Sequence, residues 1–377
     1  MNLRRFWAIA RKESLHLMRD WRSLVLALFI PFILVLLYGY ALTLDLRNVP
    51  TIVWDQSHSA KSRELLSLFQ GSPYFSFIAS VDNYRDLQRI IDRGQAMVAL
   101  IIPADFAAKV QSAKPTSIQV IADGSDANTS RLATSYVTTI TGIYAQTVAS
   151  KRLQRNGKKM QKPALEMIPR IWYNPDLRSQ NVLIPGIIAL VMIVVAAMLT
   201  SVTVAREWET GTMEQLISTP LRRSELIFGK VFPYFVIGMT DVLIAVVIGK
   251  TIFHVPIAGN SGLLFAFSAL FLSGALFFGM TLSIVMKSQV LANQTAILAG
   301  FLPTLILSGF VFAIENMPAP LQFLTYIVPA RYFIAILRGI YLKGIGLDIL
   351  WIDGLMLGIY TLIMIVLAHR KLKFKLE

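Results

Sequence analysis

Long apolar segments constrain this chain more than any other feature of its sequence. Residues Leu24–Leu44 form an uncharged run of 21 residues, which as a helix is long enough to cross about 30 Å of hydrocarbon. Comparable runs follow at Val182–Ala205, Val231–Gly249, Gly262–Met286, Val290–Ile314 and Ile349–Ala368. A core helix of a soluble protein seldom stays apolar for this length. We therefore predict a polytopic α-helical membrane protein with six transmembrane helices.

Composition excludes several other classes of protein. Apolar residues make up 55% of the chain and charged residues 15%, which fits neither a soluble globular domain nor a disordered chain. The sequence has no cysteine, and this excludes disulfides, thiolate nucleophiles and cysteine-ligated metal sites. The four histidines, at positions 16, 58, 254 and 369, are too scattered to suggest a metal site.

The distribution of basic residues predicts the orientation in the membrane. With six helices, fifteen Lys and Arg residues fall in segments on one side and four in the short loops on the other. By the positive-inside rule, both termini are predicted to be cytoplasmic in a bacterial inner membrane. The net charge of +14 therefore indicates flanks of membrane spans, and we expect no nucleic-acid partner.

This topology divides the chain into four regions. Residues 1–23 are cytoplasmic, residues 24–44 form the first transmembrane helix, residues 45–181 lie outside, and residues 182–377 form a five-helix transmembrane region. Within that region, residues 315–348 are apolar but interrupted by Pro329, Arg331 and Arg338. They predict short re-entrant helices at the outer face, because a seventh full span would place the basic tail outside.

The segment 45–181 reads as an α/β extracytoplasmic domain inserted between the first and second spans. Strand-like runs at 49–55, 96–103 and 116–123 alternate with helical patterns at 61–69, 84–93 and 105–111, and a last helix is predicted from about 128 to 155. Asp105, Asp123 and Asp126 are compatible with an acid pair or calcium ligands. The DGSDAN sequence around them is more typical of a turn and a helix cap.

The N-terminal segment has helical amphipathicity. Leu3, Trp7, Ala10, Ser14, Leu17 and Trp21 fall on one line of a helix, with the basic residues on its flank. We predict an interfacial helix with Trp7 and Trp21 as anchors and with Arg11 and Lys12 on lipid phosphates, which makes membrane lipids a partner. A generic basic flank is the alternative.

The predicted cytoplasmic loop 205–230 is unusually acidic for the inner face of a membrane protein. It carries Glu207, Glu209 and Glu214. Gly211 is predicted to end one helix and Thr212 to cap a short second helix that stops near Pro220. A basic groove on a partner would explain the carboxylates, whereas a plain turn between spans would not need them.

This loop resembles a known family. The sequence REWETGTMEQLISTPL, from Arg206 to Leu221, is similar to the E-R-E-x-G-T-x-E-x-L-x-x-x-P signature of bacterial ABC exporter permeases of the type 2 class. It is closest to the multidrug-efflux-like subgroup with a large extracytoplasmic domain after the first span. RKESLHLMRD, IWYNP, LSGFVFAIENMP and IVPARYF extend the resemblance along nearly the whole chain. Trp208 departs from the signature, where Arg is common.

The resemblance implies a partner and a coupling site. In that family the loop docks into a groove of a separate ATP-hydrolysing subunit, and this implicates Glu207, Glu209, Gly211, Thr212 and Glu214. The only Gly-Lys-Thr sequence, at 249–251, has Ile244 in place of the first P-loop glycine. We therefore expect no enzymatic activity and no bound cofactor in this chain, with ATP and Mg on the partner.

Polar residues inside the spans are further candidates. Asp241 lies midway along the third span. Three roles are open for it: a group on the substrate route, a proton site, or a hydrogen-bonded structural residue. One face of the fifth span carries Asn293, Ile297, Gly300, Thr304 and Ser308, a pattern typical of close helix packing. The resemblance implies that this face, with Met192 and Thr200 of the second span, forms a dimer interface and translocation path.

Together these features predict the permease subunit of an ATP-driven ABC exporter that moves a hydrophobic or amphipathic substrate. A second permease copy or a paralogue would complete a dimer, and family analogy suggests a periplasmic adaptor. A proton-coupled secondary transporter using Asp241 is the alternative, although paired ionisable groups and an internal repeat are lacking in the sequence. A membrane sensor would need a cytoplasmic output domain that no inner segment is long enough to form.

Overall fold

The computed structural model describes residues 2–19, 21–41, 48–112, 114–155, 172–175 and 178–372. The chain divides into two compact units. The helical unit comprises Met1–Thr43 with Arg170–Glu377, and the sheet unit comprises Leu44–Pro169. Two helices of the helical unit come first in the chain, α1 (Leu3–Arg19) and α2 (Trp21–Ala41).

The sheet unit is a four-stranded mixed sheet with helices. Its elements in chain order are β1 (Val49–Asp55), α3 (Ala60–Gln70), β2 (Phe75–Ser80), α4 (Tyr84–Asp92), β3 (Val98–Ile102), α5 (Phe106–Ser112), β4 (Gln119–Ala122) and α6 (Ala127–Arg155). The strand order is β2-β1-β3-β4. β1 is parallel to β2 and β3, and β4 is antiparallel to β3. The three predicted strands are confirmed, and β2 was missed because most of this edge strand is exposed and its pattern is weak.

Hydrophobic clusters lie on the two faces of this sheet. Leu100 and Phe106 belong to one cluster, and Ile52 and Ala99 to the other. Every residue of β3 is buried, as expected for a strand that is covered on both faces. Burial raises the pKa of Tyr144 to about 12, so its hydroxyl stays a donor and bonds the Lys61 carbonyl at 3.1 Å.

Three acidic residues of the sheet unit that were candidate ligands make local contacts instead. Asp126 precedes α6 and accepts a hydrogen bond from the Thr129 amide at 3.2 Å. Asp123 accepts from the Ser125 amide at 2.9 Å, and this bond lowers the pKa of Asp123. Asp105 forms an ion pair with Lys109, one turn along α5. The turn-and-cap interpretation of the DGSDAN sequence is therefore confirmed.

The rest of the helical unit is a bundle of long and short helices. They are α7 (Ser179–Ser201), α8 (Thr203–Glu209), α9 (Thr212–Ile217), α10 (Arg223–Thr251), α11 (Ser261–Met286), α12 (Gln289–Leu307), α13 (Ala319–Thr325), α14 (Pro329–Arg338) and α15 (Leu347–Lys371). A single turn of π-helix, Gly339–Lys343, continues α14.

The structure supports a polytopic membrane protein without fixing the number of spans at six. Among the described residues, five helices are long and apolar enough to cross a membrane: Ser179–Glu209, Arg223–Thr251, Ser261–Met286, Gln289–Leu307 and Leu347–Lys371. A sixth would be the pair Ala319–Thr325 and Pro329–Lys343, which is bent by 81°. In α2, which covers most of the predicted first span, the apolar stretch Leu28–Ala41 is shorter than these helices, and residues 42–44 lie outside the described residues.

The predicted fifth span is too long at its C-terminal end. α12 ends at Leu307, not at Ile314. Gly309 has φ of 78°, a conformation that favours glycine and ends a helix. The hydroxyl of Ser308 accepts a hydrogen bond from the Phe310 amide at 3.2 Å, which holds the chain in this turn.

α7 is the central helix of the bundle. In the most apolar 18-residue stretch of Ser179–Glu209, 78% of the residues are buried, against 17% in the corresponding stretch of α15. α7 is therefore enclosed by protein, whereas α15 lies at the surface of the bundle. α7 meets α11 closely, and the Thr200 hydroxyl donates to the Leu276 carbonyl at 2.8 Å. A methyl group on Gly279 of α11 would overlap the Ala197 backbone and the Thr200 side chain. Small residues of this kind let membrane helices approach closely.

We therefore expect Gly279→Ala to destabilise the helical unit. Overpacking of this kind costs about 1–3 kcal/mol, and thermal unfolding of the protein in detergent would measure it as a lower midpoint. Gly358→Ala is the matched control, because nothing lies within 4 Å of a methyl group at this glycine of α15. Equal midpoints for the two variants would contradict the close α7–α11 contact.

Candidate coupling site

α1 packs on α10 through a face that includes Glu13. The buried residues of α1 are Ile9, Ala10, Glu13 and Leu17. Ala10 and Leu17 belong to the predicted line, but Leu3 is 74% and Trp7 59% exposed. The buried face is turned toward Glu13, because this carboxylate has partners on α10. Arg11 and Lys12 are exposed, as predicted for the flank, and the side chain of Trp21 lies outside the described residues.

A buried charge cluster joins α1, α8 and α10. We use this name for Glu13, Glu207, Lys230 and Tyr234. The Lys230 ammonium lies 3.2 Å from Glu13 Oε2 and 2.9 Å from Glu207 Oε1. The Tyr234 hydroxyl donates to Glu13 Oε1 at 3.0 Å. Because Lys230 is 2% exposed and both glutamates are below 10%, water screens these charges little.

The rim of this cluster is more exposed. The ammonium of Lys12 lies 3.3 Å from Glu207 Oε1, and its side chain is 58% exposed. An exposed pair of this kind contributes little to stability. The buried Lys230 is different, since removal of one partner from a buried ion pair leaves an uncompensated charge.

α8 is fixed on its other side to α11 and α12. The Ser283 hydroxyl of α11 accepts from the Val204 and Ala205 amides at 3.0 and 2.9 Å. These amides lie in the first turn of α8, where a helix has no carbonyls of its own to bond them. Glu209 accepts hydrogen bonds from the backbone amide and the side-chain amide of Gln289, at the start of α12.

α9 follows a sharp turn at Gly211. This glycine has φ of 71° and precedes the first helical residue, Thr212. Thr212 was predicted to be the cap, and this is wrong: its hydroxyl contacts the Thr210 hydroxyl at 3.0 Å and makes no capping bond. Met213 is fully buried and anchors α9, whereas Glu214 and Gln215 are exposed.

The three glutamates of the acidic segment therefore have different environments. Glu207 is buried in the charge cluster and Glu209 is bonded to Gln289, so both hold the segment in place within the chain. Glu214 is the exposed acid of α9. Sequence reasoning grouped them together and did not identify Glu13 and Lys230. The signals available in the sequence are a glutamate in the amphipathic N-terminal segment and a lysine next to an apolar run.

The candidate residues within the spans also differ in their environments. Gly300 and Thr304 of α12 and Ser308 directly after it are buried, and Asn293 and Ile297 are half-buried. Gly300 lies next to Ile193 of α7 in the same chain, so part of this face serves packing within one chain. Thr200 is fully buried and bonded to α11, a placement that gives no support to its predicted role at a dimer interface. Met192 and Asp241 line one small cavity.

Comparison with known proteins identifies the family. The model of the ABC-2 family transporter protein matches residues 21–370. The chain is 36% identical to the probable multidrug ABC transporter permease YbhS of Escherichia coli (strain K12), over all of this chain and 99% of that protein. It is 30% identical to the probable multidrug ABC transporter permease YbhR of the same organism, over 92% of each chain. The inner membrane transport permease YhhJ is 24% identical over 93% of this chain and 92% of its own length. The chain belongs to the ABC-2 family of transporter proteins.

We expect Lys230→Met to destabilise the helical unit strongly. The change keeps the length of the side chain but leaves Glu13 and Glu207 buried without their cation, at a cost of about 3–5 kcal/mol. Lys12→Met is the control and should change stability by less than about 1 kcal/mol. Thermal unfolding of the purified variants in detergent compares them, and a stability of Lys230→Met equal to that of the control would contradict the role of the buried cluster.

Proposed function

We propose that this ABC-2 family chain is the transmembrane permease subunit of an ATP-driven exporter, moving a hydrophobic or amphipathic substrate out of the cytoplasm or the inner leaflet. Family membership and the printed names of the YbhS and YbhR relatives support the proposal. Proton-coupled transport through Asp241 is not favoured, because the relatives are ABC transporter permeases.

The placement of α9 is the observation that carries the mechanism. The segment from α8 to α9 is held by α1 and α10 through Glu207 and by α12 through Glu209, while Glu214 faces solvent. A partner that pulls on α9 would therefore act on three helices together. We infer that a cytosolic ABC ATPase subunit binds this exposed face and that its motion reaches the bundle through the buried charge cluster.

Other parts of the assembly follow as proposals. ATP and Mg would be bound by the ATPase subunit, and a second permease copy or a paralogue would complete the transporter. We propose cytoplasmic termini, a sheet unit outside the membrane, and an optional periplasmic adaptor. The half-buried Asn293 and Ile297 are the residues of the predicted α12 face that remain accessible to a second copy.

Replacement of Glu214 by Lys tests the proposal. Glu214 makes no described contact that holds the fold, so the variant should fold normally. A like charge placed against a basic groove costs several kcal/mol, and we expect at least about a tenfold loss of co-purified ATPase subunit. Gentle solubilisation of the tagged protein from its native membrane, followed by identification of the bound P-loop ATPase, is the measurement.

Asp348→Lys is the matched control. Asp348 is also an exposed acid in the first turn of a helix, α15, and the change in charge is the same. This variant should retain the ATPase at the level of the unmodified protein. Undiminished co-purification with Glu214→Lys, or no ATPase bound to the unmodified protein in several mild detergents, would overturn the proposed coupling surface.

A further inference from the structure

A buried carboxylate lies in the helical bundle with neither oxygen satisfied. Asp241 of α10 is 7% exposed, and its two carboxylate oxygens have no hydrogen-bond partner among the described residues. An unpaired acid within a membrane span is energetically expensive and usually functional. The other buried acids among the described residues have partners: Glu13 and Glu207 are paired with a lysine, and Glu225 accepts hydrogen bonds from two backbone amides. Asp241 differs from them, because neither of its oxygens has a partner among the described residues.

The carboxylate borders a small cavity between four helices. The cavity volume is about 20 Å³, which is enough for one water-sized group. Its walls come from α2, α7, α10 and α11 and include Pro31, Met192, Val195, Gly238 and Leu272. Tyr234 is the other lining residue with a polar side chain, and its hydroxyl is already bonded to Glu13. The cavity thus presents one carboxylate within apolar walls.

The chemistry of the cavity selects a particular ligand group. A proton alone would neutralise Asp241 but would give it no charge-assisted hydrogen bond. A primary ammonium carries a compensating charge and several N–H donors, so that it satisfies both carboxylate oxygens. It is also close to water in size. A trimethylammonium group has no N–H donor and therefore cannot donate a hydrogen bond to the carboxylate.

We propose that the Asp241 cavity binds the primary ammonium group of an amphipathic amine, whose apolar part would lie among the surrounding helices. As a statement about the exporter's substrate class, this rests on the proposed function. The binding site itself can be tested without the ATPase subunit, so that failure of one proposal does not imply failure of the other.

Binding of radiolabelled 2-phenylethylamine to the full-length protein in phosphatidylcholine nanodiscs tests the site, with protein-free discs subtracted. We expect saturable binding, and binding at least about tenfold weaker for the trimethylammonium analogue, equivalent to about 1.4 kcal/mol. This comparison uses the unmodified protein and does not depend on the folding of a variant. An absence of saturable binding, or equal binding of the two compounds, would overturn the proposal.

Two matched variants locate the site. Asp241→Asn keeps the shape of the side chain and removes its charge, so binding should fall at least about tenfold. Asp353→Asn should bind like the unmodified protein, because Asp353 is a half-buried acid of α15 that does not line the cavity. Undiminished binding by a folded Asp241→Asn variant would assign the amine to another site. If binding fails while the ATPase subunit still co-purifies, the exporter proposal stands without the ammonium site.

Discussion

The ammonium of Lys230 holds together the three helices of the candidate coupling site. It lies between Glu13 of α1 and Glu207 of α8, and all three side chains are almost completely buried. Charges in such an environment interact strongly but are very costly to separate. Since the cluster joins three helices, α1 and α8 cannot move independently of α10 without exposing or unpairing a charge. This constraint makes the segment from α8 to α9 part of the bundle and not a loose connection between spans.

α10 links the charge cluster to the cavity in the bundle. Lys230 and Tyr234 lie one turn apart on this helix and both bond Glu13. Tyr234, Gly238 and Asp241 continue along the helix, and all three line the cavity. A ligand bound at Asp241 would therefore lie one side chain away from the cluster that holds Glu207. Both places lie on the same helix, Arg223–Thr251, which connects them directly.

The sequence predicted elements well where a local signal was strong. β1 and the helices 84–92 and 261–286 agree with their predicted ranges to within a residue or two, because apolar periodicity and turn residues are properties of the local chain. β2 was missed because an edge strand needs little apolar surface, and α12 was made too long because the turn at Gly309 interrupts an apolar run. The pairing of Glu13 on α1 with Lys230 was not predicted, because the two residues are more than 200 positions apart in the chain.

The sequence by itself determined that this chain is a membrane permease with an acidic segment after the second apolar run, because hydropathy, charge distribution and the REWETGTMEQL motif are all local features. Only the tertiary structure decided what each acid of the motif does. Glu207 is paired with a lysine of another helix, Glu209 bonds the start of α12, and Glu214 remains at the surface. The tertiary structure also showed that the carboxylate of Asp241 has no hydrogen-bond partner among the described residues, whereas that of Glu13 has two. Burial and pairing are relations between distant parts of the chain, and they arise only when the helices pack.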